Sequence, residues 1–221
     1  RLLEMVKSNK FLREECKIFQ PLSSTMFGDN PPHSPQTEDT PLNPMSPYAC
    51  AKTAAWYLCK MYRRVHGIKV SCGILYNHDS PRRADGYLLQ KICRAAVRIQ
   101  RGEQDTLTLG NLDHVVNIGF AREYMEAAVN MLQHNKADDY IIASRMTNTI
   151  GMLVTSAFNE VGLTGDQTHR LKFDRSYNTP KGNTVSGSIR KARSDFGFEP
   201  QYTASSVVGM LIKHFKEQPC V

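Results

Sequence analysis

The sequence predicts an α/β protein: a parallel sheet flanked by helices, followed by a mostly helical C-terminal region. Two observations carry this. Short apolar runs of strand length alternate with longer segments of helical periodicity along most of the chain, the order that builds parallel sheets through helical crossovers. The last thirty or so residues then hold two helix-type segments and no further strand.

The elements follow in order. "RLLEMVKSN" has helical spacing of Leu2, Leu3 and Val6, and "CKIFQPLSS" reads as a short buried strand running into a loop. Residues 28 to 47 hold six of the eleven prolines, which predicts an ordered loop or lid, because proline removes a backbone donor and fixes φ. Ser46 as N-cap and Pro47 at the first position open a helix that Gly67 closes. "IKVSCGILYN" is a fully buried strand by its length and its Val/Ile content, and 78 to 86 is a polar loop. "YLLQKICRAAVRIQRG" is amphipathic, with Leu88, Ile92, Ala95 and Ile99 on one stripe and Gly102 ending it. "TLTLGNLDHVVNIG" alternates and turns. "FAREYMEAAVNMLQ" is a helix, "DYIIAS" a strand, "TIGMLVTSAFNEVG" a helix and "RLKFD" a short strand. "SIRKARSDFGFEP" and "TASSVVGMLIKHFKEQ" are the terminal helices.

At 221 residues, 41% of them hydrophobic, the chain has material for one substantial core, or one with an appendage. No apolar run approaches the length of a membrane span, and the N-terminus lacks the apolar stretch of a secretory signal. A start at Arg1 rather than Met is expected where something upstream is removed or carried on another chain. Six cysteines without a C-x-x-C pair predict reduced thiols in a reducing compartment, cytoplasmic or organellar, mitochondria included. They do not predict a metal site.

The charge of +7 is uneven. Arg170, Lys172, Arg175, Lys181, Arg190, Lys191 and Arg193 stand against Asp174 alone, so this segment supplies +6. A solvated basic face accounts for it; a phosphate-bearing ligand, RNA, an acidic protein or an acidic membrane surface are the functional readings. No interleaved aromatics of an RNA-binding signature accompany it.

"SPYACAK" places Tyr48 and Lys52 on one face of a helix, one turn apart. An ammonium beside a phenol stabilises phenolate, which suits proton transfer near neutral pH. By itself the spacing is common, and a surface tyrosine above a solvated lysine satisfies it.

With "RLLEMVK", "SPYACAK", "GILYNHDSPRR", "LGNLD" and "FGFEP" in this order and spacing, the chain resembles the extended short-chain dehydrogenase/reductase family, and within it the GDP-mannose 4,6-dehydratases. The resemblance runs over nearly the whole chain. It implies an incomplete Rossmann-like sheet over residues 1–80, carrying the YxxxK helix, and a substrate-type cap region over 81–221 interleaved with the last strands. It also implies a catalytic set of Ser23, Tyr48 and Lys52. Tyr48, Lys52, His78 and Arg83 would meet an NADP cofactor, and Asn77 and Lys91 the substrate. The reaction implied is oxidation at C4 of GDP-mannose, loss of water across C5–C6 and hydride return at C6.

The same resemblance exposes departures. No G-x-G-x-x-G occurs in these residues, so this chain alone is expected to hold no cofactor, and its first strand is expected at an open sheet edge. Thr25 stands where the dehydratases carry an acid/base glutamate; losing such a group typically costs about 10²–10⁴-fold in rate. Val116 replaces an arginine near the nucleotide, and Leu89 a threonine. Thr179 and Gly182 replace an arginine and a glutamate. Arg82, Arg83 and Asn77 can serve loop geometry, while Lys91 and Arg94 are kept.

Three functions follow as expectations. One is a degenerate, inactive relative serving as an accessory subunit, with other subunits covering the sheet edge and the basic C-terminal region, or with a second copy forming a homodimer. The next is an active NADP-dependent dehydratase whose first half lies on another chain or outside this sequence. The last is a basic RNA-binding module.

Overall fold

The computed structural model describes residues 1–29, 31–174, 176 and 186–218. Its chain falls into two compact units, each assembled from three stretches. The first takes residues 1–76, 122–143 and 182–200; the second takes 77–121, 144–181 and 201–221.

The first unit is built on a three-stranded parallel sheet in the order β1 (Lys17–Ser23), β2 (Lys69–Leu75), β7 (Asp139–Ile142). Lys17 pairs with Lys69 and Ser23 with Leu75 on one side of β2; Cys72 pairs with Asp139 on the other. β2 and β7 are buried almost throughout, as the Val/Ile-rich run predicts for a strand covered on both faces. α1 (Leu2–Ser8) and α3 (Pro47–His66) pack on one face, where Val6, Trp56, Cys59 and Tyr62 meet Val70, Cys72 and Ile74. α5 (Ala121–Gln133) and α7 (Arg190–Phe196) contribute Tyr124, Met131 and Ala192 to a second cluster with Leu75, Tyr140 and Ile142.

α3 begins as its residues dictate. The Ser46 hydroxyl accepts from the Ala49 amide at 3.1 Å, Pro47 occupies the first turn, and Gly67 ends the helix at φ +67°. The proline-rich loop is pinned to this unit by the fully buried Gln36. Its amide accepts from the Tyr76 hydroxyl at 2.7 Å and from the Ser186 amide at 3.0 Å, and its backbone bridges to Gly187. Glycine is required there, since a Cβ at 187 would lie 2.6 Å from both Ile141 and Tyr76.

α2 (Lys10–Glu15) is an element the sequence does not advertise. Six residues with none buried give no periodicity to read; the Asn9 side chain, accepting from Leu12 N at 3.0 Å, starts it.

The second unit packs α4 (Leu88–Gln100), α6 (Ile150–Glu160) and α8 (Ala204–Glu217) around one core. Three two-stranded pairings surround it. β3 (Asn77–Asp79) is parallel to β6 (Ile118–Phe120), β4 (Leu107–Leu109) is parallel to β9 (Leu171–Phe173), and β5 (Val115–Val116) is antiparallel to β8 (Asn148–Thr149). β3 lies at the start of the stretch that reads as a polar loop; three polar residues carry no strand signature of their own. None of the described helices is long and apolar enough to cross a membrane.

Candidate functional site

In the first unit, β1 ends at Ser23 and the chain tightens into a short 3-10 turn over 24–27. Burial of Met26 and Phe27, both fully enclosed, sets the turn and leaves Thr25 exposed. The Ser23 hydroxyl oxygen accepts from the Thr25 amide at 3.3 Å and from the Thr25 hydroxyl at 3.0 Å. A hydroxyl oxygen has two acceptor positions, so Ser23 is left with a proton to donate. Thr25 has no carboxylate to take up or release a proton near neutral pH. The turn closes at Gly28, φ +78°, where a Cβ would meet the Asn43 carbonyl at 2.3 Å.

Tyr48 lies in the first turn of α3 and is 56% exposed. The Lys52 ammonium, one turn on, sits 5.6 Å from the centre of the Tyr48 ring. Its hydrogen bond goes elsewhere, to the Pro21 carbonyl of β1 at 2.8 Å, an oxygen that also accepts from the Gln20 side chain at 3.0 Å. The ammonium that the family resemblance assigns to the cofactor is thus held on backbone.

In the second unit, Asn77 and His78 begin β3, with Asn77 exposed and His78 half-buried. Asp79 is buried; its carboxylate accepts from Gln90 and from the Ser80 amide, with Arg83 Nε 4.0 Å away. Burial raises its pKa against the lowering effect of those donors. Arg83 donates to the His78 carbonyl and stacks 3.7 Å from the centre of the Tyr87 ring, which ties the 78–87 loop to itself. Lys91 lines a groove of about 310 Å³ together with Asp85, Arg94, Arg98, Gln104 and Thr108. Arg94 pairs with Asp85 and covers the Phe215 ring. Of its lining the family resemblance brings only Lys91 and Arg94; Arg98, Gln104 and Thr108 carry no local signal of a groove.

Two of the replaced positions have been taken into packing. Leu89 is 1% exposed and Val116 8%, and both belong to the core of the second unit. Thr179 and Gly182 lie outside the described residues, as do Arg175, Lys181 and Cys220. Of the described basic residues near the C-terminus, Lys191 pairs with Asp138 at 3.0 Å and Arg193 with Glu199. Among the described residues no group of His, Cys, Asp and Glu could hold a metal ion. The five described cysteines are free thiols, three of them buried.

A parallel sheet whose first strand ends in Ser23, followed by a helix opening on a Tyr/Lys pair, defines the class of the extended short-chain dehydrogenases/reductases. Solved structures share the fold. The RMD of Pseudomonas aeruginosa, complexed with NADPH, aligns with a TM-score of 0.85 at 21% identity over 97% of this chain and 70% of that one. The dTDP-glucose 4,6-dehydratase of Bacillus anthracis, in complex with NAD, gives 0.84 at 20% identity over 98% and 65%. Within the class, the family model described as GDP-mannose 4,6 dehydratase matches residues 1–211, and the chain belongs to that family. It is 38% identical to GDP-mannose 4,6 dehydratase 1 of Arabidopsis thaliana over 96% of its own length and 58% of the relative's. It is 32% identical to GDP-mannose 4,6 dehydratase 2 of Caenorhabditis elegans over 96% and 59%. The chain spans a little over half the length of these relatives.

Proposed function

We propose that this chain is a catalytically silent member of its family, serving as an accessory subunit of a larger protein assembly. The observation that carries the reading is the Ser23–Thr25 pair. Where the family resemblance places a carboxylate there is a threonine hydroxyl, and it is spent on Ser23. Elimination of water needs a base for the C5 proton and an acid for the leaving hydroxyl, and two neutral hydroxyls supply neither. The buried Leu89 and Val116 support the same reading, because neither offers a polar group to a nucleotide. No cofactor is assigned to this chain alone.

The surface suits partners. Tyr57, Leu58, Met61 and Val65 form an exposed apolar stripe on α3, with Leu2 and Met5 exposed on α1. A second copy covering this stripe gives a homodimer, and other subunits would cover the sheet edge and the basic C-terminal region. The free thiols favour a reducing intracellular compartment.

A second reading rests on Tyr48 and Lys52. Their retention favours an NADP-dependent nucleotide-sugar dehydratase completed by a segment from elsewhere, and NADPH and NAD occupy the two structural neighbours named above. An RNA-binding role rests on charge alone, and Lys191 and Arg193 already have acidic partners.

Titration of the purified chain with NADPH, followed by nicotinamide fluorescence, tests the cofactor assignment: no saturable binding is expected of this chain alone, and saturable binding overturns that. Dehydratase turnover once the completing segment is added would favour the second reading over silence. RNA binding that falls steeply with salt would revive the third reading.

A further inference from the structure

Two thiols meet where α3 lies on the sheet. Cys72 of β2 stands in register with Asp139 of β7, and in-register neighbours of a parallel pair point to the same face. That face is the one towards α3, since the Asp139 carboxylate accepts from Trp56 Nε1 at 2.9 Å and from Arg63. Cys59 follows Trp56 by three residues and precedes Arg63 by four, so it lies on the same side of the helix. Cys59 is 3% exposed and Cys72 0%, and both belong to one core cluster. The Cys72 thiol donates to the Cys59 sulfur.

These surroundings differ from those of a thiol that only fills a core. Arg63, one turn beyond Cys59, keeps a buried Nε–H with no acceptor, a donor suited to a nearby anion. The hydrogen bond from Cys72 draws the Cys59 thiol below its ordinary range against burial, and the Arg63 charge adds to that. The same bond, together with burial, pushes Cys72 up. One sulfur is therefore the nucleophile and the other holds the proton. Cys93, fully buried in the second unit, is the contrast: burial alone with the charge of Asp79 pushes its thiol up.

We propose that Cys59 and Cys72 form a modification site, a dithiol that hydrogen peroxide oxidises to a disulfide joining α3 to β2. The Cys59 thiolate attacks one peroxide oxygen, the O–O bond breaks, and a sulfenic acid and hydroxide form. The hydroxide becomes water with the proton that Cys59 has given up. The Cys72 sulfur then attacks Cys59, the S–O bond breaks, and the Cys72 proton leaves with that oxygen as a second water. The two thiols lose two electrons, which the peroxide takes up. Neither Tyr48 nor Lys52 takes part, so the site stands whether or not the chain is chemically silent.

The test is made on the whole folded chain. N-ethylmaleimide first caps the exposed Cys50 and other accessible thiols, and hydrogen peroxide is then added and removed with catalase. The chain is unfolded in iodoacetamide, digested and read by mass spectrometry over a time course. The expected product is a Cys59–Cys72 cross-linked peptide pair, two hydrogens lighter than the separate peptides and split by a reductant. Cys59 is expected to be consumed about tenfold faster than Cys93, the effect of one pKa unit on the thiolate fraction. In Cys72→Ser the link is lost and dimedone traps a sulfenic acid at Cys59. The parent experiment needs no variant, so a variant that does not fold leaves the test intact. Cys59 and Cys72 carrying iodoacetamide to the same extent as Cys93, or Cys59 oxidised without the link to Cys72, overturns the proposal.

Discussion

Asp139 is the residue on which the polar interior of the first unit turns. Its carboxylate accepts from Trp56 Nε1 at 2.9 Å and from the Arg63 guanidinium, joining α3 to the start of β7. Replacing it with alanine would leave the largely buried Arg63 with only Asp138 at 3.2 Å. Breaking a buried pair from one side typically costs about 3–5 kcal/mol, and urea unfolding of Asp139→Ala should show a loss approaching that. The neighbouring Asp138 is a pH probe. Burial raises its pKa, but hydrogen bonds from Lys136, the Asp139 amide and Lys191 outweigh burial and hold it down at about 2. A carboxylate depressed in the folded state contributes stability above its unfolded pKa, about 3.9, and that contribution is lost as pH falls towards 2. Stability of the parent should therefore fall between these values, and Asp138→Asn should flatten the fall in acid-unfolding curves. Neither role is written in the sequence: "ADDY" reads as a loop meeting a strand, and the tertiary approach of α3 gives Asp139 its partners while α7 brings Lys191 to Asp138.

At the scale of elements, α3 is where sequence and structure agree most closely, because its signals are local. The serine cap, the proline at the first turn and the closing glycine each act within a few residues. Ser46→Ala should lower stability by about 1 kcal/mol, the usual worth of an N-cap, measurable as a shift in the urea midpoint. The strap at Gly187 is the opposite case. Nothing near "VSGS" announces that residues far away in the chain supply its partners, yet Gln36 bridges to Gly187 and Tyr76 and Ile141 occupy the space that a Cβ there would take. Gly187→Ala should cost about 1–3 kcal/mol, as overpacking of a tight core does, read again by urea unfolding. The same reasoning explains the candidate site. Spacing alone put Tyr48 and Lys52 on one helix face, but where the ammonium points depends on a strand carbonyl 31 positions earlier in the chain.

At the scale of the whole chain, the order of elements and the motif spacing were enough to place it in its family, since strand–helix alternation and ordered motifs survive the loss of individual site residues. What became of the replaced positions was not legible, because Leu89 and Val116 look alike in a core and in an empty site until burial is known. The homodimer proposed through the apolar stripe on α3 gives a prediction at this scale: light scattering should find the parent a dimer and Leu58→Glu a monomer, and a monomeric parent would contradict the proposal. The account as a whole rests on chemical silence, and turnover tests that most directly. Purified chain incubated with NADP and GDP-mannose is predicted to give no 4-keto-6-deoxy sugar above a heat-treated control, by mass spectrometry of the nucleotide sugars. Accumulation of that product in proportion to the chain added would contradict it.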